Sequence, residues 1–176
     1  LPIGESMNIL FVGSSSSWHN DLWLKYFTKD HSVYLFSDKE DYLKDNPFDK
    51  VTVIESEGYL GRVLNFLKVK SHFLYQINKL ISAQYYASLV DQTILEHNIN
   101  IVHAHSLFYG YLSSFIKSKV PVVFTPVGSD VIIHAQESQI YKYMAKGAFK
   151  RANIVTGDSL LLQKLIFLIA VSLLIA

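Results

Sequence analysis

The chain has 176 residues and a mass of 20.1 kDa, the size of about one domain. Half of its residues are hydrophobic and 18% are charged, a composition that excludes a disordered chain. It has no cysteine, which excludes disulfides, thiolate nucleophiles and Cys-ligated metal sites, and its net charge of +1 gives no support for bulk nucleic-acid binding.

The charge is distributed unevenly along the chain. Residues 1–57 carry a formal charge of −5, and residues 58–176 carry +6. This asymmetry suits a domain that meets an anion on one side.

Both ends of the sequence differ from the part between them. Residues 1–6 precede Met7 and have no basic or long apolar stretch, so we interpret them as upstream or expression-related residues and not as a signal peptide. Residues 165–176 form an apolar run interrupted only by Ser172, shorter than the ~20 residues of a membrane span. For the tail, residues 164–176, three interpretations are open: a packed terminal helix, a fragment of a hydrophobic anchor, or a truncated or frame-shifted end, which we favour.

Short apolar segments rich in β-branched residues alternate with helical segments. The predicted strands are Asn8–Gly13, Ser32–Ser37, Lys50–Ile54, Asn100–Ala104, Pro121–Thr125 and Asn153–Thr156. The predicted helices are Asn20–Lys29, Gly61–His97 in two pieces, Phe108–Lys119 and Ser138–Arg151. This order predicts an α/β fold with a Rossmann-like, doubly wound, mainly parallel sheet and helices on both faces. In such a sheet, ligands bind beyond the carboxyl ends of the strands near the topological switch point.

The loop after the first strand consists of small and polar residues: Gly13, Ser14, Ser15, Ser16, Ser17, Trp18, His19 and Asn20. Small residues before a helix let backbone amides approach a phosphate or a sugar. The alternative is a tight turn in which a serine or Asn20 caps the helix. The glycine fingerprints for dinucleotides and for the Walker loop are absent from the sequence, which argues against NAD binding.

Two histidines end the fourth strand. His103 and His105 stand two residues apart, so they lie on the same face of an extended chain. We expect His103 to be a core histidine and His105 to hydrogen-bond a sugar hydroxyl. No carboxylate accompanies them in the sequence, so we predict no metal site.

The fifth strand leads into a polar loop that contains Gly128, Ser129 and Asp130. Gly128 permits close backbone approach, and Asp130 would either accept a hydrogen bond from a hydroxyl or cap a turn.

The region 62–90 carries Arg62, Lys68, Lys70 and Lys79 with no acid before position 91, and aromatic residues lie between them. Such a surface suits an anionic membrane, although a helix that only covers the sheet would have a similar pattern.

The chain resembles the N-terminal domain of family 4 glycosyltransferases, which have the GT-B fold, from Met7 to about Gln163. The resemblance lies in four segments in the expected order: MNILFVGSSSSWHNDLW, INIVHAHSLFYGYL, PVVFTPVGSDV and FKRANIVTGDSLLLQ. It identifies residues 7–163 as an acceptor-binding domain. It implies a transferase that takes its sugar from a nucleotide-sugar, retains the anomeric configuration and uses neither a cofactor nor a metal.

By position, the resemblance implies that residues 13–17 contact the donor diphosphate with His19 beside them, and that His105 lines the acceptor side. Gly128, Ser129 and Asp130 would form the family's motif after the fifth strand. Many members have a histidine where this chain has Val127, and Asn153 replaces an aspartate of the closing segment. The catalytic residue is therefore unassigned, with His105 and Asp130 as candidates.

The leading interpretation is the acceptor-binding half of a cytoplasmic glycosyltransferase that builds a polysaccharide or glycolipid. A peripheral position on the inner face of a membrane is a further expectation. These 176 residues contain no segment that resembles the family's C-terminal donor domain, so we expect the chain alone to be inactive. The alternative is a non-catalytic binding or partner module with a Rossmann-like fold.

Overall fold

The computed structural model describes residues 6–14, 18–37, 51–55, 72–134 and 138–157, and near the end of the chain 163–164, 166–168 and 170–171. The strands are β1 Asn8–Val12, β2 Ser32–Ser37, β3 Val51–Glu55, β4 Ile101–His105, β5 Val122–Thr125 and β6 Ile154–Val155. The helices are α1 Trp18–Phe27, α2 His72–Glu96, α3 Leu107–Ser113 and α4 Gln139–Arg151, and a π-helical turn spans Asp130–His134.

All six strands are parallel, in the order β3-β2-β1-β4-β5-β6. The chain adds strands outward from β1 to β3, crosses to the other side of β1, and adds strands outward from β4 to β6. The switch point therefore lies between β1 and β4, where Phe11 is in register with His103. The predicted Rossmann-like α/β fold is confirmed, and each strand lies within one residue of its predicted ends.

Helices cover both faces of the sheet because successive strand residues point to opposite sides. On one face, Ile9 and Phe11 pack with Leu24 of α1. On the other face, Leu10 and Val12 belong to the larger core, which α2, α3 and α4 cover. Strands buried on both faces explain the nearly continuous apolar segments in the sequence.

The third predicted helix ends earlier than expected. The α-helix stops at Ser113, after which the amides of Ser114, Phe115 and Ile116 donate to carbonyls three residues back. The next two amides donate to the carboxylate of Asp91 on α2, at 2.8 and 2.9 Å. The predicted end at Lys119 is wrong, because a tertiary contact takes the amides that a continuing helix would use.

Two other predictions lie partly outside the described residues. Of the predicted helical region 61–97, the structure describes a helix from His72 onward. In the tail, Ile166 is buried against the larger core, whereas Phe167 and Leu168 are exposed. Positions 165, 169 and 172–176 are outside the described residues, so the three interpretations of the tail stay predictions.

Candidate functional site

The carboxyl ends of β1, β4 and β5 lie side by side in the sheet. This order brings together three sequence-predicted segments: Gly13 after β1, His105 at the end of β4, and the loop 126–130 after β5. These segments are far apart in the chain, and the crossover from β3 to β4 makes them neighbours.

Gly13 and Ser14 are the described part of the predicted phosphate loop; residues 15–17 and the side chain of His19 are outside it. The amide of Gly13 donates to the carbonyl of Phe36 on β2 at 3.1 Å. That hydrogen bond continues the β1–β2 ladder by one residue, so the Gly13 amide is already used within the sheet. That the backbone amides after Gly13 contact an anion stays a prediction.

His103 and His105 point to the α1 face of the sheet, as their spacing predicts, and their ring centroids are 4.3 Å apart. Both are buried, at 4% and 5% exposure. Phe11 packs against them from β1, with centroid distances of 4.9 and 5.7 Å. Trp23 packs against them from α1, at 5.1 and 6.1 Å. The two imidazoles therefore form one aromatic cluster with Phe11 and Trp23, on the α1 face of the sheet at the switch point.

His103 has a structural environment. Its Nε2 is 2.8 Å from the hydroxyl of Thr125, which in turn hydrogen-bonds the hydroxyl of Thr156. Burial lowers the pKa of His103 from 6.5 to about 4, so the ring is neutral at pH 7. This contact links the carboxyl ends of β4, β5 and β6, and the expectation of a core histidine is confirmed.

His105 is the last residue of β4, one position beyond the predicted strand end at Ala104. Its side chain is buried on the face of the sheet that α1 covers. Its role on the acceptor side stays a prediction.

Asp130 connects two loops of the site. Its Oδ2 accepts a hydrogen bond from the amide of Leu107, the first residue of α3, at 2.9 Å. The carboxylate thus caps a helix that begins just after His105, and not the turn in its own loop. Of its neighbours, Gly128 is half-buried and Ser129 is exposed.

Sequence reasoning missed Ser106. Its φ of 69° and ψ of 163° are in a region that glycine occupies almost exclusively, yet the residue carries a side chain. Its amide donates to the carbonyl of Thr125 at 3.0 Å, and its hydroxyl does not cap α3. No sequence pattern marks such a position, because the strain arises from hydrogen bonds to β5 and to the β5 loop.

Of the four basic residues predicted to face a membrane, Lys79 is the described one. Its Nζ lies 5.3 Å from the ring centroid of Tyr141 and 5.8 Å from that of Phe108. It therefore sits against α3 and α4, half-buried. Arg62, Lys68 and Lys70 are outside the described residues.

Among the described residues, no cluster of three or more histidine or acidic side chains could hold a metal ion. In the same part of the chain, no helix combines the length and apolar character needed to cross a bilayer.

Comparison with known proteins assigns the chain to a family. A search of curated proteins found no match. Residues 8–159 match the family model described as glycosyl transferase 4-like. That match covers β1 to β6 and all three segments of the candidate site. The chain therefore belongs to the glycosyl transferase 4-like family.

Proposed function

We propose that this domain is the acceptor-binding half of a glycosyltransferase that moves a sugar from a nucleotide-sugar to a glycan or lipid-linked acceptor. The observation that carries the proposal is the meeting of Gly13, His105 and the loop 126–130 at the switch point of the sheet. Parallel α/β sheets bind small molecules at that place.

The side chains near the switch point suit a sugar better than a nucleotide cofactor. Trp23 is the partly exposed member of the aromatic cluster, and an aromatic ring offers an apolar surface to a pyranose. Hydroxyls and amides of the β1 and β5 loops would supply polar contacts to sugar hydroxyls. The glycine fingerprint that a dinucleotide needs is absent from the loop after β1.

Each predicted site residue has a proposed role. Residues 13–17 and His19 would lie against the donor diphosphate. His105 would face the acceptor, and Gly128 and Ser129 would line the cleft from β5. Asp130 would hold the start of α3 in place through its hydrogen bond to Leu107. In this arrangement Asp130 is a positioning residue, and His105 is the better catalytic candidate.

Transfer on this architecture needs a second domain that closes over the donor and excludes water. We propose that the 176 residues bind an acceptor and do not transfer sugar unaided. No cofactor or metal takes part in the proposed reaction. The proposed setting is the cytoplasmic side of a membrane, where the domain would serve polysaccharide or glycolipid synthesis.

Titration of the ¹⁵N-labelled chain with octyl glycosides, as soluble acceptor mimics, tests acceptor binding. We expect chemical-shift changes at the amides of residues 13–14, 105–107 and 127–130. His105→Gln should weaken these changes at least several-fold. His97→Gln is the matched control, because His97 lies at the opposite edge of the sheet, before β4. Shifts confined to other surfaces, or none with a panel of glycosides, would contradict the proposal.

Incubation with UDP-glucose and the same glycosides tests the proposal that the chain does not transfer sugar unaided. We expect no release of UDP above the uncatalysed rate. Turnover by this chain would contradict the need for a second domain. Saturable UDP binding with no glycoside binding would favour a donor-side role instead.

A further inference from the structure

The outward face of α2 carries an uncharged stripe, which we define as Ile81, Gln84, Ser88, Gln92 and Leu95. All five residues are exposed, and Ile81 and Leu95 are 63% and 74% exposed. Surface helices normally carry charged residues on the face turned to water. The five stripe residues carry none over four turns; the exposed carboxylate of Glu96 flanks the stripe and accepts a hydrogen bond from Gln92. The most apolar members of the stripe are at its two ends.

The stripe is symmetric about Ser88. Ile81 and Leu95 each lie seven residues from it, and Gln84 and Gln92 each lie four residues from it. A two-fold axis through Ser88, with two α2 helices antiparallel, would place Ile81 of one copy against Leu95 of the other. It would also place Gln84 against Gln92 and Ser88 against Ser88. Each contact then occurs twice about the axis, as an isologous contact requires, and every pair joins residues of the same chemical kind.

We propose that the α2 stripe is the two-fold interface of a homodimer. The average spacing along the stripe is 3.5 residues, the repeat that keeps a helix seam facing its partner. This proposal is independent of the proposed function, because it rests on the outer face of the helix layer and not on the switch point.

The centre of the stripe permits close approach of two helices. Ser88 is small, and its hydroxyl donates to the carbonyl of Tyr85 at 2.6 Å within its own helix. The hydroxyl can therefore be buried without losing its hydrogen-bond partner. Gln92 Nε2 donates to Glu96 Oε1 of its own helix at 2.7 Å, which leaves its second N–H and its Oε1 to pair with the side-chain amide of Gln84 across the axis.

A groove runs along the stripe. Tyr85 and Phe115 contribute to its lining, and its volume is about 840 Å³. The charged residues that line this groove are Asp91 and Lys117, and both oxygens of Asp91 accept backbone amides of the same chain. The groove thus offers apolar walls to Ile81 and Leu95 of a second copy, with its carboxylate already hydrogen-bonded.

The contact is short. Residues 81–95 span about 21 Å at 1.5 Å per residue, so the buried area would be below the roughly 1,600 Å² of a standard stable interface. The dimer should therefore be reversible. Sedimentation velocity should show an apparent mass that rises from monomer toward dimer as concentration increases.

Cross-linking tests the axis directly, because the chain has no cysteine of its own. Ser88→Cys should form a disulfide-linked dimer with diamide at least ten times faster than Lys29→Cys, an exposed control on the other face of the sheet. A mixture of Ile81→Cys and Leu95→Cys should cross-link more than either variant alone. Efficient self-linking of Ile81→Cys would indicate a parallel contact and overturn the antiparallel register.

Charge variants test the pairing without a covalent bond. Ile81→Glu should abolish the concentration dependence of the mass, because it would bury a carboxylate against Leu95. Adding Leu95→Lys to the same chain should restore the dimer, because opposite charges would then meet across the axis. A wild-type chain that stays monomeric up to millimolar concentration, with Ser88→Cys no faster than its control, would overturn the proposal. Both positions are exposed, so circular dichroism should report an unchanged fold.

Discussion

Ser106 adopts a backbone conformation that costs a residue with a Cβ about 1–3 kcal/mol. It stays there because its amide is bonded to Thr125 and the amide that follows is bonded to Asp130. Strain of this kind concentrates at functional positions, where the fold around it determines the conformation. The residue lies between His105 and α3, at the centre of the candidate site.

Ser106→Gly should raise the free energy of unfolding by about 1 kcal/mol, because glycine adopts this conformation without strain. Chemical denaturation measures the change. Ser106→Ala keeps the strain and serves as the control, with no expected gain. A loss of stability in both variants would show that the hydroxyl, and not the backbone, decides stability here, and a glycine variant no more stable than the alanine variant would contradict the strain argument.

His103 makes stability depend on pH. Its folded-state pKa of about 4 lies below its unfolded value of 6.5, so the unfolded chain binds more protons between these values. The contribution is complete above pH 6.5 and is lost as pH falls toward 4. The total loss is up to about 3 kcal/mol.

Urea denaturation of wild type and His103→Gln, from pH 7.5 to pH 4.5, tests this titration. The variant should show a shallower decline of stability at low pH. Thr28→Ser, a change at a solvent-exposed hydrogen bond that removes no titratable group, should keep the wild-type slope. Equal slopes for wild type and the His103 variant would assign the acid sensitivity to another group.

At the scale of elements, α3 packs directly against β5 where Gly110 faces the ring of Phe124. A Cβ built on Gly110 of α3 would clash with Cε2 of the Phe124 ring and lie 2.7 and 2.8 Å from Cδ2 and Cζ. Phe124 is fully buried, so its ring has nowhere to move. Glycine at this position therefore sets the distance between helix and sheet, against its low helix propensity.

Gly110→Ala should destabilise the domain by about 1–3 kcal/mol, although the same change in an exposed helix would stabilise it. Thermal unfolding followed by circular dichroism would show the lower Tm. Phe124→Leu in the same chain should recover part of the loss by making room. A neutral or stabilising single variant would mean that the packing relaxes at little cost.

At the scale of the whole molecule, the two ends of the parallel strands have different surroundings. The carboxyl ends of the strands carry the candidate site, and at the amino ends polar side chains join neighbouring segments of the chain. Asn8 Nδ2 donates to the carbonyl of His97 at 2.7 Å, and Asn153 Oδ1 accepts from the amide of Val122 at 2.9 Å. Asn153 stands where the resembling family has an aspartate, and its amide oxygen provides an acceptor as a carboxylate would.

Asp91→Ala should lower the free energy of unfolding by about 1–3 kcal/mol, because it leaves the amides of Lys117 and Ser118 without their acceptor. Urea denaturation measures the loss. Glu96→Ala, on the same helix, should have little effect, since Glu96 is exposed and bonds Gln92 of its own helix. Glycoside binding should survive Asp91→Ala, because Asp91 contacts the segment before β5, at the amino ends of the strands, and the site lies at the carboxyl ends. A parallel loss of glycoside binding would contradict this separation.

The strands and their order in the chain follow from the sequence by itself. Runs such as NILFV and SVYLF are apolar on both sides, so they form strands buried on both faces wherever the chain places them. The residues that follow each strand, including Gly13 and the loop 126–130, were for the same reason identifiable as site candidates. His103 and His105 were correctly assigned to one face, because a strand alternates its side chains.

The tertiary structure decided which distant groups meet. Asp130 caps α3, His103 bonds Thr125, and Asp91 ends α3 before Lys119. Each contact joins residues more than 20 positions apart and depends on the sheet order, which local patterns do not encode. The backbone strain at Ser106 and the close contact between Gly110 and the Phe124 ring also arise from long-range packing. The local hydrophobic pattern thus determines where the strands and helices of this protein form, and long-range packing determines which contacts the residues at their ends make.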